Sequence, residues 1–130
     1  MTKYFTVDEA NRLLPLIKEK IQVLQDIKQK FERKFHELQV YKQGLADTDA
    51  ASDLIFKWEC DLEFMEMEAQ IHVKQIHETG AQVKDIDFGL VDFPAFINGE
   101  EVLLCWRQGE DTITHYHGLH EGFAGRKPLA

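Results

Sequence analysis

The residue types that could do chemistry gather in the last third of the chain, and their sharpest pattern is His115-x-His117-x-x-His120-Glu121. Residues two apart on a strand share a face, so His115 and His117 could chelate zinc or another divalent metal, with His120 or Glu121 closing the shell. Against this, close-set histidines recur by chance, and a tetrahedral site usually draws its ligands from separate elements. The plainer reading is a polar strand running into a loop.

A second group comprises Asp85, Asp87, Asp92, Arg107, Glu110, His117 and Arg126. Carboxylates beside a histidine and an arginine are components of general acid–base catalysis or of a surface that recognises an anion or a partner. In the structural alternative the aspartates near Gly89 cap turns and Arg126 pairs with a carboxylate to pin the tail. That alternative is preferred, because neither a nucleophile–base spacing nor a glycine-rich phosphate loop is recognisable. Cys105 lies between Leu104 and Trp106 in an apolar run, which suits a buried thiol better than a reactive one. Glu32 with His36 and Glu68 with His72 stand four apart on helical faces, whereas carboxylate di-metal bundles use Glu-x-x-His, three apart. The mismatch sets a di-metal bundle aside.

Two long helices and a set of strands must hold these side chains. Thr6-Val7-Asp8-Glu9 has capping-box form and starts a helix over 6–43, whose apolar residues Leu14, Ile17, Ile21, Leu24, Ile27, Phe31, Phe35 and Leu38 recur three or four apart. Pro15 predicts a bend or break early in it. The turn is expected in Gly44 to Ser52, with Ser52 or Asp53 opening a second helix over 52–79 that ends at Gly80. That helix is apolar on two sides: Leu54, Trp58, Leu62, Met65, Ala69, Val73 and Ile76 form one stripe, and Cys60, Phe64, Met67 and Ile71 another. It therefore needs two sets of neighbours.

Beyond Gly80 the period changes. Leu90 to Ile97, Asn98-Gly99, then Glu101 to Arg107 reads as a β-hairpin with a type I′ turn, and a second turn at 108–111 leads into Thr112 to His117. Pro94 places its strand at an edge or marks a bulge. The expected fold is α+β: a long antiparallel helical hairpin, a three-stranded antiparallel β-meander over 88–117, and an irregular C-terminal tail over 118–130, all in a single domain spanning 1–130.

A helix of about 35 residues is roughly 50 Å long, while a six-residue strand spans roughly 20 Å, so the meander cannot shield the whole hairpin. A second copy could, which predicts a two-fold homodimer. Charge agrees with pairing of the two helices: residues 6–43 carry eight Lys or Arg against six acids, and residues 52–78 carry seven acids against Lys57 and Lys74. The net charge of −8 argues against nucleic acid as a partner. No run approaches the ~20 apolar residues of a membrane span, and the N-terminus lacks a signal-peptide pattern, so a cytoplasmic location is expected. Cys60 and Cys105 are too few for a disulfide framework and are expected to be reduced and buried.

Nearly end to end, the chain resembles a bacterial family, domain of unknown function 2203. The resemblance rests on Tyr4-Phe5-Thr6, Glu9-Ala10-Asn11 and Leu13-Leu14-Pro15, then Val83-Lys84-Asp85 with Asp87 and Gly89-Leu90-Val91-Asp92-Phe93-Pro94. Val102-Leu103-Leu104-Cys105-Trp106-Arg107 with Gly109-Glu110, His117, and Gly122-Phe123-Ala124-Gly125-Arg126 complete it. The family tends to have Trp-His where this chain has Tyr116-His117, and His115 and His120 look particular to this chain. The resemblance implies no established activity. Two readings follow from the residues: a homodimeric scaffold or interaction module, without a cofactor, presenting the polar C-terminal surface to a protein partner or small ligand; alternatively, a small metal-binding protein or hydrolase-like enzyme with His117, Asp92, Glu110 and Cys105 in a cleft.

Overall fold

The computed structural model describes residues 2–44 and 48–130. Helix α1 runs from Val7 to Gln43, and the Thr6 hydroxyl accepts from the Glu9 amide while the Glu9 carboxylate accepts from the Thr6 amide. It does not break at Pro15. A proline's fixed φ is compatible with a helix, and Pro15 is exposed, so water can satisfy the carbonyl it frees one turn earlier. Helix α2 runs from Asp49 to Glu78, starting ahead of Ser52, because the Thr48 hydroxyl accepts from the Ala51 amide and caps it. Leu45 to Asp47, within the expected turn, lie outside the described residues. Lys34–Asp61 at 3.2 Å and Lys42–Glu59 at 3.1 Å join the helices. Both pairs are exposed enough to select register more than to add stability.

The sheet has five antiparallel strands rather than three, in sequential order: β1 Gln82–Asp85, β2 Leu90–Ile97, β3 Glu100–Arg107, β4 His115–Gly118 and β5 Lys127–Pro128. The expected meander is its centre. β1 and the tail strand β5 add the edges, and a 3-10 turn at Phe123–Gly125 precedes β5. Asn98 and Gly99 both have positive φ, 52° and 80°, as a type I′ turn requires. Pro94 lies beyond the last β1 pairing, and its carbonyl accepts from the Phe5 amide at 2.7 Å. A residue's N–H and C=O leave an antiparallel strand on the same side, so the donor that Pro94 lacks is not one that β3 needs.

Strand alternation sorts the sheet into two faces. Val91, Phe93, Ala95, Val102, Leu104 and Trp106 pack against Ala10, Leu14, Ile17, Ile21 and Leu24 of α1 and Ile76 of α2 to form the core. Asp92, Leu103, Cys105 and His117 face the other way, on the side without helices. The Asn98–Gly99 turn thus fixes which side chains reach that face. We expect Gly99→Ala, whose added methyl meets nothing but sits at φ 80°, to lower stability by about 1 kcal/mol in urea unfolding, through backbone strain alone. Gly122→Ala, equally uncrowded at φ −106°, is the control and should change stability by less than about 0.5 kcal/mol. Equal effects would show that the turn is not strained.

Candidate functional site

Register alone brings Asp92 opposite Cys105, with His115 opposite Cys105 on the far side and His117 two residues further along β4. His117 then reaches across β3, so that its Nε2 lies 2.9 Å from Asp92 Oδ2. All three residues are buried, and their ligand-type atoms lie within 4.8 Å of one another. No other such group of His, Cys, Asp or Glu occurs among the described residues. They line a cavity of about 170 Å³ with Lys84, Leu103, Leu119 and Glu121 on its walls.

The protonation of the group follows from its hydrogen bonds. His117 Nδ1 is 2.9 Å from the Gly118 carbonyl oxygen, which can only accept, so Nδ1 carries a hydrogen. A neutral ring then turns the lone pair of Nε2 towards a carboxylate oxygen, and two acceptors at 2.9 Å repel. A cation, either a proton or a metal ion, must lie between them. Burial raises the Asp92 pKa, and the neighbouring His117 opposes the rise. Burial likewise pushes the Cys105 thiol up to about 12, with the Asp92 carboxylate adding to the rise and Arg126 opposing it. Without a metal, Cys105 is a thiol and a poor nucleophile.

The other residues singled out in the sequence do not converge here. Asp85 Oδ1 accepts from the Phe88 amide and closes the β1–β2 turn. Asp87 pairs with Lys28 of α1 at 2.7 Å. Glu110 accepts from the Arg107 amide and, at 2.7 Å, from the Arg126 guanidinium, while both arginines stack over the Phe123 ring. This is the tail-pinning arrangement expected of Arg126, and it takes Glu110 out of the cleft proposed with His117, Asp92 and Cys105. His115 sits 3.9 Å from Glu110, and His120 is exposed; neither joins His117 in a metal-capable group. Glu121, not His120, lines the cavity, its carboxylate accepting from the Gly118 amide. A Cβ on Gly118 or Gly125 would lie 2.8 or 2.7 Å from that carboxylate, so both glycines make room for it. Lys84 also lines the cavity; it stands in the Val83-Lys84-Asp85 run that carries the family resemblance, but nothing in its residue type or spacing points to the site.

A two-helix hairpin on one face of a five-stranded antiparallel sheet, with a buried Asp–Cys–His group on the other, defines a small α+β protein. Residues 3–129 match the family described as an uncharacterized conserved protein, DUF2203, and the chain belongs to that family. No curated protein and no solved structure matches it. No helix of the described residues is long and apolar enough to cross a membrane.

The two cysteines differ in what they offer a reagent. Cys60 is exposed, contrary to expectation, because it lies on the face of α2 turned away from the core; Cys105 is buried. After chelator treatment at pH 8, no more than one thiol per chain should react with a maleimide, mapping to Cys60, and two should react in guanidinium. Labelling of native Cys105 at a comparable rate would contradict its burial and its raised pKa.

Proposed function

We propose that this protein is metal-dependent, with Asp92, Cys105 and His117 holding one divalent transition ion. The observation that carries this reading is the cation position between His117 Nε2 and Asp92 Oδ2, with a thiol alongside. Ligand atoms around a tetrahedral zinc stand roughly 3.3–3.8 Å apart, given bond lengths of 2.0–2.3 Å, so small side-chain movements would turn the group into a coordination shell. One sulfur, one imidazole nitrogen and one carboxylate oxygen form a borderline-soft set that suits zinc. The Nδ1–H bond to the Gly118 carbonyl supplies the second-shell contact that metal-bound histidines commonly make.

Three ligands drawn from β2, β3 and β4 leave a fourth position towards the cavity, the pattern of catalytic rather than structural zinc. A zinc ion in this setting would lower the pKa of a bound water and polarise a carbonyl. The walls add Lys84, a cation able to hold a carboxylate or phosphate, and Glu121, a carboxylate able to accept a proton. At about 170 Å³ the cavity is below the usual size of a drug-like site and fits a small polar molecule. The contrasting reading is a structural imidazolium–carboxylate pair beside an inert thiol.

Chelated protein titrated with zinc should take up one equivalent per chain, release protons as Cys105 ionises, and melt at a higher temperature. Cobalt in place of zinc should give a thiolate-to-metal charge-transfer band in the near ultraviolet that Cys105→Ser abolishes. Asp92→Asn or His117→Ala should weaken binding by at least ~100-fold. No stoichiometric uptake, or a cobalt spectrum indifferent to Cys105→Ser, would leave the structural ion pair as the account of the site.

A further inference from the structure

The outer face of α2 carries Phe56, Cys60, Phe64, Met67 and Ile71, spaced four, four, three and four residues apart in one stripe. Phe56 is 70% exposed, Phe64 67%, Met67 60% and Ile71 55%, and Cys60 is exposed too. The opposite face of the helix is the one engaged with the core, through Leu62, Ala69, Val73 and Ile76. Single apolar residues on a surface need no explanation, whereas a continuous stripe over four turns marks an interaction site.

The stripe identifies its own occupant. Reversing a second α2 end to end about a point between Glu63 and Phe64 sets Phe56 opposite Ile71, Cys60 opposite Met67, and Phe64 beside its counterpart. The same operation sets Asp53 opposite Lys74, and brings Lys57 to within roughly 3 Å along the axis of Glu68 on the same flank. Like charges meet at the centre, where Glu63 lies beside the axis and faces its own copy, and at the helix ends, where Asp49 falls opposite Glu78; the complementary pairs stand between them. With apolar residues meeting apolar residues and Lys57 and Lys74 each brought to an acid, a second copy of α2 fits the stripe. We propose that two copies of this chain pair antiparallel through the outer faces of α2, forming a two-fold dimer with Phe64 at the axis.

The proposal is independent of the metal site, which lies on the helix-free face of the sheet. In sedimentation equilibrium at micromolar concentration the protein should show twice its 15.1 kDa chain mass, and Phe64→Glu should return it to the monomer mass with its helical circular dichroism unchanged. Register is tested by oxidation in a Cys60→Ser background. Phe64→Cys should form an intermolecular disulfide, whereas Ile71→Cys should not, because it lies opposite position 56 and roughly 22 Å along the axis from its own counterpart. Glu63→Gln should tighten the dimer several-fold. A monomer at these concentrations, or Ile71→Cys cross-linking as readily as Phe64→Cys, would overturn the proposal.

Discussion

The arrangement depends on the pairing of β2 with β3 about the Asn98–Gly99 turn. Because side chains alternate with a period of two, a slip of one residue would turn one strand over, carrying either Phe93 or Leu104 and Trp106 out of the core and driving Asp92 or Cys105 into it. The core permits no such slip. Trp106 is fully buried and donates to the Glu110 carbonyl at 2.9 Å, and Phe93 meets Phe5 edge-on. The residues that pack the helices onto the sheet therefore also fix the polar group on its far face. Fold and site are one constraint seen from two sides.

That constraint holds a costly group. Removing an imidazole and a carboxylate from water as ions costs several kcal/mol each, and a well-packed apolar replacement is often as stable. Stability alone gives little reason for Asp92, Cys105 and His117 to share one buried spot. The metal ion proposed above would give one, because it would satisfy all three at once and allow the thiol, held at about 12 by burial, to act as a thiolate. The tail contributes as well: Arg126 anchored on Glu110 and Phe123 holds the segment that brings Glu121 to the cavity. If α2 pairs across a two-fold axis, each assembly presents this site twice.

Much of this was legible in the sequence, and the losses have physical causes. A two-residue turn fixes register, so Asp92 opposite Cys105 follows from Asn98-Gly99 by counting. The contact of Cys105 with His117 could not be counted in the same way, since residues 108–114 join β3 to β4 irregularly. β1 and β5, at four and two residues, are too short to show alternation. α2 is capped by Thr48 rather than by Ser52 or Asp53, and since all three are competent caps their residue types alone do not rank them. Pro15 does not end α1, since a proline on the solvent side of a long helix costs one hydrogen bond without breaking it.

If Asp92, Cys105 and His117 form a coordination shell, X-ray absorption at the zinc edge of the loaded protein reads that shell directly. The expected spectrum has one sulfur scatterer at about 2.3 Å together with nitrogen and oxygen scatterers near 2.0–2.1 Å, including the imidazole outer-shell pattern of a single histidine. A shell of oxygen and nitrogen alone, or one with several histidines, would contradict it.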